Sequence, residues 1–281
     1  LCAWGTRKEI PYLSKPTPAP PISPLRIFNE MKIAFSNKSY RSIFFGLTLG
    51  TTVVAIEGAF QPFMGIHFWE LDTESLRWIP IAIMLGLPFG TALAPIVTRW
   101  LDKRLSLVVS AAFSIICVNV MIVSRLLGLL PPNGDPIILP MLLFFSFLSA
   151  VVSPLLFITI NSMFADISDE MELETGERQE GVIYSARAFA IKAANALGTV
   201  LGGIALDLIA FPRSAPPGTV DDSVVFNLGL VQGPLTSLFT FTGLLLYLGY
   251  RLDRQRHNEI LMALAKRKAA STAAENQDLT V

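Results

Sequence analysis

Six stretches of this chain are long and apolar enough to cross a lipid bilayer, and this decides most of what the chain can become. A helix needs about 20 mostly apolar residues to span roughly 30 Å of hydrocarbon, and such runs occur at 43–69, 76–97, 105–130, 137–161, 181–210 and 224–250. Nearly all of 40–250 reads as membrane. The expected fold class is an all-α membrane protein with six transmembrane helices. Composition agrees, with 52% hydrophobic residues, 16% charged residues and a mean hydropathy of +0.54, well outside the range of a water-soluble domain.

Composition also excludes function classes. The 22 Lys and Arg cancel the 22 Asp and Glu, so no excess charge is available to hold a phosphate backbone and no nucleic-acid partner is expected. Cys2 and Cys117 are too few for a disulfide framework and lie in no metal-ligand spacing. His67 and His257 are far apart, and no H-E-x-x-H, G-x-S-x-G or Walker pattern accompanies them. With no Ser/His, Cys/His or paired-carboxylate constellation inside the spans, neither an enzyme nor a resident cofactor or metal is expected.

Basic residues stay on the cytoplasmic side of short loops. Here 17 Lys and Arg fall on one side, counting both ends of the chain and two loops, and only Arg77 and Arg213 on the other. Both termini are therefore expected in the cytoplasm. Residues 1–42 read as a Pro-rich cytoplasmic linker and lead-in, where Pro11, Pro16, Pro18, Pro20, Pro21 and Pro24 deny the backbone helical donors. Residues 43–250 form the six-span bundle and 251–281 a basic cytoplasmic tail. In that tail Leu252, Ile260, Leu261 and Leu264 fall near one helical face, the pattern of a helix lying on an anionic inner leaflet; a solvated charged tail is the alternative. The chain opens on Leu1 rather than Met, and a missing N-terminal part is expected.

A charge at bilayer depth costs about 2.5 to 3.5 kcal/mol on insertion scales, so each one calls for a reason. Arg125 lies at the outer end of its span and is expected to snorkel. Lys192 lies about 16 Å beyond Gly181, near the midplane and too deep to reach water without a polar cavity. At about 100° per residue, Tyr184, Arg187, Lys192, Asn195 and Thr199 share one sector of the fifth span with Gly198 and Gly202, a polar stripe expected to face inward. The glycines alone also fit close helix packing. Glu57, at similar depth in the first span with Gln61 one turn later, is the expected counter-charge of Lys192, in a transport role or as a static buried pair.

Between the fourth and fifth spans, 161–181 reads NSMFADISDEMELETGERQEG, followed by VIYSARAFAIK at 182–192. This resembles the glycoside-pentoside-hexuronide:cation symporter family of the major facilitator superfamily, of the melibiose permease type. That family's pattern runs Ala-Asp, an acidic cluster, Thr-Gly, Arg, Glu, then Tyr-Ser and a membrane-embedded Lys. Ala165, Asp166, Asp169, Glu172, Thr175, Gly176, Arg178, Glu180, Tyr184, Ser185 and Lys192 occupy those places, with no gap between Arg178 and Lys192. The RWLDKR stretch at 99–104, with Arg99, Asp102, Lys103 and Arg104, is similar to the basic inter-helix motif of the superfamily.

The resemblance covers the second six-helix half of such carriers. It implies the C-terminal bundle of a major facilitator transporter in a lipid bilayer, expected to be the bacterial cytoplasmic membrane, partnered by an N-terminal six-helix half and working by alternating access on a small-molecule substrate. It implies that Lys192 couples sugar and cation sites and that Arg187 lines the substrate cavity. The family has an uncharged residue at the latter position as a rule, so a cationic stripe suits an acidic glycoside or anionic headgroup. The carboxylates for the coupling cation, Na+ or H+, belong to the other half. The acidic run at 166–180 is expected to latch an inner gate with Arg99, Lys103 and Arg104, solvated charges being the alternative. A cation-coupled symporter of a sugar, glycoside or related polar solute is the leading reading; a lysolipid or amphiphile carrier and a non-transporting membrane sensor or scaffold are the alternatives. For topology, a cysteine placed at Ser223 or Asn133 is expected to react with an impermeant thiol reagent from outside, and one at Ser271 only from inside. Labelling of position 271 in intact cells would reverse the orientation.

Overall fold

The computed structural model describes residues 7–8, 24–176 and 180–278. The proline-rich stretch through Pro21 and the motif residue Arg178 lie outside the described residues. Within them every regular element is helical, as a hydrocarbon setting demands of a backbone that must bond to itself. The chain runs through α1 (Pro24–Ser36), α2 (Lys38–Phe63), α3 (Trp78–Trp100), α4 (Lys103–Leu126), α5 (Ile138–Thr175), α6 (Glu180–Leu208), α7 (Asp222–Leu230), α8 (Thr236–Tyr247) and α9 (Arg254–Asp278). A π turn, Met64–Phe68, prolongs α2, and a second, Val231–Leu235 around Pro234, joins α7 to α8. The six helices long and apolar enough to cross a membrane fall on the six apolar runs. Their outer surfaces are greasy: Phe189 is 74% exposed and Leu208 81%, tolerable against lipid and a liability in water.

The largest departure from the sequence reading is the fourth span. It is expected to stop at 161, yet α5 continues to Thr175, so most of the acidic loop is helix. Met163, Phe164, Ile167 and Met171 keep the helical period past the membrane run and are all buried. Gly176, at φ +79°, ends the helix in the left-handed conformation that glycine adopts without strain.

Two flank helices are seated by glycine. On α6, a side chain at Gly198 would overlap the Thr52 carbonyl of α2, and one at Gly202 would come 2.7 Å from the Ala59 Cβ. On α3, a side chain at Gly86 would come 2.6 Å from the Phe147 carbonyl of α5, and one at Gly90 would overlap the Val151 carbonyl. Each is a pair of small residues four apart, which lets two backbones close up where no hydrophobic effect drives association. Helices α4 and α8 complete the bundle against α5 and α2.

The core divides into two clusters. One lies at the end that holds α1 and α9, here called the tail end, around Tyr40, Leu107, Phe164, Tyr247 and Ile260. The other, at the far end, centres on Phe60, Phe68, Trp69, Met121 and Leu228. Gly198→Val is expected to lower stability by about 1 to 3 kcal/mol through overpacking, read as a lower thermal midpoint in detergent. Gly181→Ala, with open space around it, is expected to leave the midpoint unchanged.

Candidate functional site

The polar stripe of α6 is divided by the fold. Ile183, Ala186, Ala190, Ala194, Gly198 and Gly202 form the buried face, so both glycines belong to the seam with α2 and not to the stripe. Lys192, Asn195 and Thr199 lie on another face and are exposed on this bundle. Asn195 and Thr199 turn back on their own helix, donating to the Ile191 and Asn195 carbonyls at 2.9 Å each. Tyr184 and Arg187 are half-buried toward α5. The Arg187 guanidinium lies 5.5 Å from the Phe164 ring centre and 6.0 Å from that of Phe157, a cation–π setting, with its Nε buried and unpartnered.

Glu57 is not the counter-charge of Lys192. Thr52, Ala55, Ile56 and Ala59 of α2 take the contact with α6, which leaves Glu57 on a different face of α2 and Lys192 beyond the seam. Among the described residues no ion pair joins them, and Lys192 has none with any other residue. Glu57 instead lines two cavities, of about 400 and 300 Å³, between the two core clusters. Gln61, one turn on, lines the larger of them.

The motif residues at the tail end converge on Asp166. Its carboxylate is buried, 3% exposed, and Lys103 at the start of α4 reaches both oxygens at 2.6 and 2.8 Å. The Tyr250 hydroxyl donates to Asp166 Oδ2 at 2.9 Å, and His257 Nε2 stands 3.4 Å from Oδ1 and 3.1 Å from Asp169 Oδ2. Burial, and then the Asp166 charge, push the Tyr250 phenol well above its usual range, which keeps it a donor. Asp102 precedes α4 and lines a cavity of about 170 Å³ beside Asp166 and His257. Glu180 opens α6. The expected latch is corrected on two points: Arg99 and Arg104 are exposed and pair with no acid among the described residues, and the groups that join Lys103 come from the tail.

That tail does form a helix, but it does not lie free for a leaflet. Leu252 and Ile260 are buried and Leu264 packs on the tail-end core, while Leu261 is 44% exposed. Arg254 donates to the Thr98 carbonyl at 2.9 Å and Arg267 to the Leu173 carbonyl at 3.4 Å. Each thereby satisfies an orphan carbonyl in the last turn of a span, where the helix dipole favours a cation. Arg125 is likewise held rather than snorkelling: its guanidinium reaches the Pro131 carbonyl and Asn133 Oδ1 and lies 5.4 Å from the Trp69 ring centre. Sequence reasoning missed Tyr250 and His257. The helical spacing of His257, Ile260 and Leu264 carried the signal, since three- and four-residue steps put His257 on the docked face.

Lys103→Ala is expected to destabilise the protein by about 2 to 3 kcal/mol by stranding a buried carboxylate. Arg104→Ala is expected to cost under about 0.5 kcal/mol. Thermal unfolding of the two variants side by side checks the difference, and equal midpoints would refute the assignment of Lys103 as the partner of Asp166.

With this geometry in hand, the comparisons with known proteins agree on one family. Over residues 1–254 the chain matches the family described as MFS/sugar transport protein. It is 25% identical over 261 residues to an uncharacterized symporter of Synechocystis sp., a match that covers 90% of this chain and 45% of that protein. The chain thus spans about half the length of the curated relative it matches. Six apolar spans and a family match over most of its length place it plainly: the chain belongs to the MFS/sugar transport family of membrane transporters.

Proposed function

We propose that this chain is one six-helix bundle of a cation-coupled secondary transporter of the glycoside-pentoside-hexuronide type, moving a sugar, glycoside or related polar solute by alternating access against a second bundle. The observation that carries the reading is Lys192. It is the thirteenth of the 29 residues of α6, exposed on the face turned away from α2, and without an ion pair among the described residues. A bare ammonium at that depth is disfavoured against lipid and is stabilised in a polar cavity between two bundles. Asn195 shares its exposed face and would line the same cavity, while Tyr184 and Arg187, turned toward α5 with Arg187 held over two aromatic rings, would border it. The tail end, which carries most of the basic residues, faces the cytoplasm on this reading, in a bacterial cytoplasmic membrane. The relative's printed name, a symporter, supports coupled transport, with the family's coupling-cation carboxylates, for Na+ or H+, supplied by the partner bundle.

In the complete carrier, Lys192→Ala is expected to reduce coupled uptake to background while leaving expression near normal. Lys192→Arg is expected to rescue poorly, because a planar guanidinium does not replace a compact ammonium. Counterflow in proteoliposomes with a glycoside, and in parallel with a lysolipid, reads both the loss and the substrate class. Near-normal accumulation by Lys192→Ala would refute the coupling role.

A further inference from the structure

Between the two core clusters, the bundle interior holds a carboxyl group to which the fold supplies no cation. Glu57 lies in the wall shared by the two cavities, and among the described residues no Lys, Arg or His lines either one. The titratable side chains that share them are Cys117 on α4 and Tyr247 on α8, neither of which is a cation. Helices α3 and α5 present apolar and hydroxyl groups, such as Ile83 and Ser153. On the α6 side the seam stands between Glu57 and Lys192. An ionised carboxylate without a counter-charge is strongly disfavoured in such a place.

Among the polar atoms that share these cavities with Glu57, one buried acceptor is left without a donor. The Thr236 hydroxyl, just after the π turn that carries Gln232, gives its one proton to the Gln232 carbonyl at 2.5 Å. It does so because the π turn sends the Thr236 amide to the Val231 and Gly233 carbonyls and passes over Gln232. Gln232, only 5% exposed, lines the larger cavity with Glu57, and its side-chain oxygen has no hydrogen-bond partner among the described residues. A buried acceptor of this kind calls for a donor. A carboxylic acid donates one hydrogen bond, and a carboxylate donates none.

We propose that Glu57 is a proton-binding site inside this bundle. The carboxylate takes one proton from a hydronium ion of the solvent, so that one O–H bond of hydronium breaks, the carboxyl O–H forms and water is left, and the step reverses when Gln232 is displaced. The displacement has a hinge at hand. Pro234 lies within the π turn that carries Gln232, and Pro62 with the π turn at Met64–Phe68 follows Glu57 on α2, and single π turns inside helices concentrate at functional positions. A coupling role for this proton rests on the transporter reading above; the protonation itself does not.

Infrared difference spectroscopy of the reconstituted protein tests protonation with no transported substrate. At neutral pH the wild type is expected to show a carboxylic-acid carbonyl band that Glu57→Gln removes and that titrates away on alkalinisation. Thr236→Val, which keeps the shape and removes the hydroxyl, is expected to shift that band. A wild type with no Glu57-dependent acid band at neutral pH overturns the proposal, whatever the chain transports. In the complete carrier, Glu57→Gln is expected to lose accumulation driven by a proton gradient, and unchanged gradient-driven accumulation overturns the coupling.

Discussion

Hydrocarbon offers no partner to a polar group, and the way this chain disposes of each one organises the rest of the structure. Hydroxyls and amides at depth bond back to their own helices, as Thr48, Thr52, Thr91 and Asn161 do to carbonyls four residues earlier. Cations near the ends are tied to fixed acceptors or rings: Arg125 to the loop after its span, Arg187 to Phe157 and Phe164, Arg254 to the end of α3. Asp166 is buried only where Lys103 and Tyr250 converge on it. Once these are accounted for, Glu57 and Lys192 remain at membrane depth with neither an ion pair nor an aromatic ring among the described residues. A structural explanation absorbs the others and does not reach these two.

The glycine seams explain why those two are separate. Because Gly198 and Gly202 let α6 settle onto α2, the strip of α2 formed by Thr52, Ala55, Ile56 and Ala59 is consumed by packing. Glu57 is thereby directed to the interior of the bundle and Lys192 to its outside. A bulkier seam would hold α6 farther off, with consequences for the cavity wall as well as for stability. The second seam, Gly86 and Gly90 against α5, does the same for α3, so that both flank helices leave an outer face uncovered by this bundle.

Much of the fold was legible in the sequence because its strongest signal, apolar run length, is set by bilayer thickness rather than by tertiary contacts. All six spans fall where that signal puts them. The end of α5 was not legible by the same means, since charged residues close a membrane run without closing a helix; Met163, Phe164, Ile167 and Met171 carry the period onward. For the site, helical angle grouped Tyr184, Arg187, Lys192, Asn195 and Thr199 in one sector, but it could not show that the fold divides them, with Arg187 over the α5 rings and Lys192 on an exposed face. The pairing of Glu57 with Lys192 failed for a related reason: equal depth in two helices says nothing of azimuth, and azimuth was decided by small residues. Tyr250 and His257 were overlooked because their partners lie 84 and 88 residues away in sequence.

The position of the acidic cluster also bears on what can act as a gate. A contact that opens and closes must join parts that move relative to one another, and alternating access moves one bundle against another as near-rigid bodies. Asp166 is bound by Lys103 from α4, by Tyr250 and by His257 of α9, all within this bundle, and α9 caps the ends of α3 and α5 besides. Such a cluster stiffens the tail end and travels with it. At the same end Arg99 and Arg104 are exposed without an acidic partner among the described residues. The two arginines expected from the sequence to take part in the latch are therefore left outside the cluster, while the lysine between them does the internal work.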